Sequence, residues 1–203
     1  MSRRKTRRKK KNGCARGVFT FFLLLLITVV LLFSGAISNF RNYIEKQVYP
    51  LNYKEEILLA CAKYDFEPEF LCAVIHTESK FQAQAQSHAG AAGLMQLMPN
   101  TFMEIANRKG EERAESDILI PKINIDYGAA YLRHLYDAYN YGDIYTACAA
   151  YNAGPGNVSE WLKNEEYSLD GKTLLSAPYK ETSDYIERIR TAQDMYKKLY
   201  FGE

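Results

Sequence analysis

Residues 18–33 form an apolar run broken only by Thr20 and Thr28, and the 16 residues ahead of it carry nine Lys/Arg and no acid. A stretch of that length reads as one membrane-spanning helix, extended by the small residues after it to residues 18–38. The basic residues, Arg3 to Arg16, keep the N-terminus on the cytoplasmic side and send everything after residue 40 outside. Ser34-Gly35-Ala36 also fits a cleavage site, so a removed signal peptide competes with an uncleaved anchor. The near-spanning apolar length and the long basic head favour the anchor. In either case the rest of the chain is exported, and the expected division is a basic head over 1–17, the anchor over 18–38, a connector over 39–52 and a folded domain over 53–203.

Charge narrows the partners of that domain. The head holds nine of the 26 basic residues, which leaves 17 against 24 acidic ones, a net −7. That balance argues against nucleic acid, and the head itself is explained by topology and by attraction to anionic lipid. Cys61, Cys72 and Cys148 lie in the exported part without metal-like spacing. Cys72 and Cys148 sit in apolar helical patterns and read as buried thiols; a Cys61 to Cys72 bridge stays open. His76, His88 and His134 have no metal spacing either, and no cofactor is expected.

After Pro50 the patterns are helical almost throughout. Helices are expected over 53–64 and 68–79, with Pro68 suited to a first turn, and over 99–107, closed by Lys109-Gly110. Ile125, Gly128, Ala129, Leu132, Leu135, Tyr136 and Tyr139 trace one face of a longer helix that starts near Pro121. Ile144, Ala147, Cys148 and Tyr151 repeat the spacing over 143–151 and turn Tyr151 inward. A short helix over 159–164 and a last one over 183–200 complete an all-α domain of about 150 residues.

One residue departs from the pattern. Leu71, Val74, Ile75 and Glu78 fall at i, i+3, i+4 and i+7, so a carboxylate shares a helix face with three core-type side chains. A buried carboxylate is costly unless neutralised or used. The apolar face and the negative end of its helix both favour the protonated form. Nine residues later comes a Gly/Ala-rich loop with little charge, Ser87-His88-Ala89-Gly90-Ala91-Ala92-Gly93-Leu94-Met95-Gln96-Leu97-Met98-Pro99. An acid with a raised pKa is what protonation of a glycosidic oxygen requires, and the usual second carboxylate has no neighbour in sequence.

Four stretches in order, Glu78-Ser79-Lys80-Phe81, Gly90 to Pro99, Ala150-Tyr151-Asn152-Ala153-Gly154-Pro155-Gly156 and Glu181-Thr182-Ser183-Asp184-Tyr185-Ile186, resemble the motifs of the soluble-lytic-transglycosylase catalytic domain. The resemblance spans most of residues 53–199, with 177–180 a looser match. It implies a goose-type lysozyme-like fold and cleavage of the MurNAc-GlcNAc bond of peptidoglycan strands to leave a 1,6-anhydro end. Glu78 is then the catalytic acid, which afterwards takes the proton of the sugar's C6 hydroxyl. By the same resemblance Ser87 and Gln96 hydrogen-bond substrate and Met98 packs on a sugar ring. Tyr151 steadies the carboxylate region and the leaving sugar, Asn152 shapes the cleft wall, and Glu181 and Tyr185 line the groove. Tyr185 reads equally as a core tyrosine, and Glu181 as a favourable charge just before the last helix, near its positive end. The helix with Asn124, Tyr127 and Gly128 is assigned structure only.

The partners implied are peptidoglycan strands and, through the anchor, the membrane. Two rival functions stay open. A goose-type muramidase would need a second carboxylate brought to Glu78 by the fold, and a glycan-binding scaffold of an envelope machine would need the groove but not the acid.

Overall fold

The computed structural model describes residues 11–202, with side chains from residue 18 onward except Leu32. The first ten residues of the basic head lie outside the described part. The chain divides into two compact units, residues 1–47 and 48–203.

The described part of the first unit lies in one helix. α1 runs Lys11–Val48, and its stretch from Val18 is long and apolar enough to cross a membrane. Helix was expected to give way to an irregular connector at residue 39, but it continues through ten further residues. Nothing between Gly35 and Pro50 breaks a helix, and Pro50 biases the residue before it out of the α region.

The second unit is helical, with no strand among the described residues beyond isolated bridges at Gln86–Ala92 and Ala92–Leu97. α2 (Lys54–Tyr64) buries Ile57, Ala60 and Cys61 and is closed by Asp65 in the left-handed region. α3 (Pro68–Ser79) has Pro68 in its first turn, buries Phe70 through His76 without a break, and is closed by Lys80 at φ 53°. It is the central helix: α8 packs along it on one side and α2 on another. α4 (Pro99–Lys109) ends at Gly110. A five-residue 3₁₀ segment, Glu115–Leu119, then leads into α5 (Pro121–Ala138). α6 (Ile144–Ala153) is capped by Asp143, whose Oδ1 accepts from the Thr146 amide at 2.7 Å, and packs between α5 and α8.

α7 (Pro155–Trp161) starts four residues before the helix expected there, because Pro155 occupies its first turn. α8 (Lys180–Tyr196) likewise starts earlier than residue 183, with Glu181 in its first turn and Lys180 paired to Asp184 at 2.6 Å. Its expected last turn is instead a π-type turn, Lys197–Phe201. Cys61, Cys72 and Cys148 are buried free thiols, so no Cys61–Cys72 bridge forms. Burial pushes the Cys61 thiol up to about 12 and the other two higher.

Candidate active site

Glu78 occupies the last turn of α3, two residues before the helix is closed at Lys80. Its carboxyl is half-buried, and Oε1 accepts a hydrogen bond from the Tyr185 hydroxyl of α8 at 2.5 Å. Desolvation raises the Glu78 pKa from 4.5 to about 7, against the opposing pull of Tyr185 and of the nearby Arg188 guanidinium. The group therefore carries its proton in a large fraction of molecules near neutral pH. Arg188 stands one turn beyond Tyr185, its guanidinium 5.9 Å from the Tyr185 ring centre. Among the described residues, no second carboxylate perturbs Glu78.

Tyr151 enters from α6. Its hydroxyl donates to the Met95 carbonyl at 2.7 Å, and its ring lies 5.4 Å from that of Tyr131. The Tyr151 and Tyr185 phenols are both pushed well above their ordinary range, by burial first and then by Glu78. The structure thus brings Glu78, Tyr151 and Tyr185 together, from α3, α6 and α8. The direct bond to the carboxylate belongs to Tyr185, while Tyr151, near enough to Glu78 to feel its charge, bonds the loop.

The loop between α3 and α4 is built from its own backbone. Ala92 and Leu97 exchange amide-to-carbonyl bonds of 2.9 and 3.0 Å, and the Gly93 amide donates to Ala85 at 2.9 Å. Leu94 and Met95 are fully buried, so the loop is anchored in the core. Gln96, at φ 48°, spends its amide nitrogen on the Ala85 and Gly93 carbonyls at 3.1 and 2.9 Å. Only its amide oxygen is then left to meet a ligand. Ser87 is exposed, with its Oγ accepting from the Ala91 amide at 3.0 Å. Both residues hold the shape of the loop first. Met98 is 44% exposed just ahead of α4, an apolar surface open to a partner.

Asn152 and Glu181 lie at the other edge. Asn152 is exposed and accepts from the Thr182 hydroxyl at 2.9 Å, tying the end of α6 to the first turn of α8. Glu181 is exposed one turn ahead of Tyr185 on the same helix face.

The residue that sequence reasoning undervalued is Asn124. It is fully buried in α5; its Oδ1 accepts from the Met95 amide at 2.7 Å, and its Nδ2 donates to Ala92 at 3.1 Å and Ile118 at 2.7 Å. Three segments are fastened by one side chain. Gly93 and Gly128 make this approach possible: a Cβ on Gly93 would collide with the Asn124 amide, and one on Gly128 with the Met95 side chain. The available signal was an amide four residues ahead of a glycine on an otherwise apolar helix face.

Residues 56–174 match the family described as Transglycosylase SLT domain. The chain belongs to that family. The match covers Glu78, the 87–99 loop and Tyr151, and ends before α8. Among curated relatives, the chain is 32% identical over 158 residues to a soluble lytic murein transglycosylase of Salmonella typhimurium, covering 76% of this chain and 24% of that protein. It is 28% identical over 189 residues to a membrane-bound lytic murein transglycosylase C of Cronobacter sakazakii, covering 83% and 52%. A solved structure of an inactive glutamate-to-glutamine mutant of the Pseudomonas aeruginosa lytic transglycosylase Slt superposes with a TM-score of 0.66 at 29% identity, over 76% of this chain and 25% of that one. This SLT-family chain thus spans about a quarter of the length of the soluble relatives it matches.

Proposed function

We propose that this chain is a membrane-tethered peptidoglycan lytic transglycosylase with Glu78 as its catalytic acid and base. The observation that carries the reading is the Glu78 carboxyl: half-buried, raised to about 7 and held by Tyr185. It is supported by membership of the SLT family and by relatives named lytic murein transglycosylases.

In this reading Glu78 gives its proton to the glycosidic oxygen as the bond from muramic acid C1 breaks. The carboxylate left behind then takes the proton of the C6 hydroxyl while O6 bonds to C1, closing the 1,6-anhydro ring and restoring the acid. No water is consumed. A pKa near neutrality suits a group that must both give and take a proton. The muramidase alternative needs a second carboxylate to hold water, and the groups that act on Glu78 are Tyr185 and Arg188. Around the acid, Tyr185 orients Glu78, Tyr151 and Asn124 keep the 87–99 loop in place, and Met98, the Gln96 amide oxygen, Ser87, Asn152 and Glu181 face the glycan.

The tether is α1, with the head inside, a single crossing over 18–38 and residues 53–203 as the catalytic domain outside. Its apolar length and the relative named as membrane-bound support this arrangement.

Mass spectrometry of muropeptides released from purified peptidoglycan by the full-length chain in detergent tests the reading. The expected products end in 1,6-anhydro-muramic acid, and Glu78→Gln lowers their release by about 10²–10⁴-fold. Reducing ends instead would mean hydrolysis, and no release by the folded wild-type chain would favour a scaffold.

A further inference from the structure

Beside Glu78, α3 and α8 border an open recess of about 390 Å³, lined by Lys80, Arg188, His76, Tyr49, Asp184 and Glu187 among others. We propose that this recess binds a carboxylate of the peptide stem borne by the strand under cleavage, held by Lys80 and Arg188. The inference rests on the peptidoglycan reading and adds a stem-recognition site to it.

Position is the first argument. Lys80 closes the helix that carries Glu78, two residues on, and Arg188 is three residues beyond Tyr185. Arg188 is close enough to Glu78 to pull its pKa down, so a muramic acid seated at the carboxyl has its substituents within reach of the recess.

Charge is the second. Arg188 is near enough to Lys80 to disfavour its charge, after burial, and neither residue forms an ion pair among the described residues. Asp184 is already paired with Lys180 at 2.6 Å. His76 adds no charge at neutral pH, since burial and then Lys80 lower it to about 4. Two neighbouring cations that form no ion pair are relieved by an anion, and the planar guanidinium matches a carboxylate in two-point geometry.

Substrate chemistry is the third. Where a stem is attached, the lactyl carboxyl of muramic acid is taken up in an amide and the sugars are neutral, so the carboxylates near the scissile bond are those of the stem. Glu187 on the rim suits an ammonium beside such a carboxylate, as a diamino acid in the stem carries. It also disfavours a polyanion.

The test separates binding from turnover. The Glu78→Gln chain in detergent is titrated calorimetrically with a muramic-acid-containing tetrasaccharide, once with its stems and once with the lactyl carboxyls capped as simple neutral amides in their place. Stems are expected to tighten binding about tenfold, or about 1.4 kcal/mol. Lys80→Gln and Arg188→Gln, each added to Glu78→Gln, are expected to bring that ratio close to one. Equal affinity for both sugars in the Glu78→Gln chain overturns the proposal. So does an unchanged stem ratio in the two variants, or equal weakening of both sugars by them. Each of those results leaves the anhydro-product assay, and the function it tests, standing.

Discussion

The Glu78 carboxyl carries two predictions. With its pKa at about 7, kcat/KM should fall as pH rises through that value, because the ionised group cannot protonate a leaving oxygen. Tyr185 donates to Oε1 and so favours the ionised form. Tyr185→Phe should therefore move the alkaline limb to higher pH while lowering the plateau about tenfold through lost orientation. A pH–rate profile that keeps its limb would remove Tyr185 from the site. The same carboxyl affects stability. The folded chain holds this proton more tightly than the unfolded one, so between pH 4.5 and about 7 its contribution to stability declines. Glu78→Gln should accordingly gain in Tm over wild type at pH 8 but not at pH 4, read by calorimetry. The position of the acid was legible in sequence, because a carboxylate at i+7 of an apolar stripe stands out. Its partner was not, since nothing local links positions 78 and 185.

Among the elements, the ones with strong apolar periodicity were readable to within a few residues: α2, α3, α4 and α5 follow their stripes and their Pro and Gly punctuation. The 3₁₀ segment Glu115–Leu119 is too short to have a period, and α7 was hidden behind a Gly154-Pro155-Gly156 run that reads as a turn. The 87–99 loop is an element in its own right, and its rigidity is borrowed from α5. Asn124→Ala removes three hydrogen bonds and strands the buried Met95 amide, while the Ala92 carbonyl keeps its bond from the Leu97 amide. The expected loss is about 3 kcal/mol, or roughly 10 °C in Tm. Activity should fall further than stability explains, because Met98 and the Gln96 amide oxygen lose their support. A thermal melt paired with a turnover assay below the melt separates the two effects.

At the scale of the whole molecule, the second unit, residues 48–203, is fastened where the chain enters it. Tyr196 donates to the Pro50 carbonyl at 2.9 Å, Tyr200 to the Tyr49 carbonyl at 2.8 Å, and the Tyr49 ring stacks on His76 at 4.7 Å. A connector of a dozen residues reaches at most about 40 Å when extended. As helix, residues 39–48 rise only about 15 Å, and the next residues are pinned to the end of α8. That helix carries Tyr185, so fixing its far end also limits how the bond to Glu78 can move. A chain beginning at Val48 retains these contacts, and one beginning at Tyr53 loses two hydrogen bonds, the Tyr49–His76 stack and the packing of Leu51. The shorter chain should be less stable by about 2–4 kcal/mol, with a lower urea midpoint. Its α8 amides should exchange faster than those of α3. Equal midpoints for the two chains would mean that residues 48–52 only lead into the domain, and that α8 is held by α3 and α6 alone.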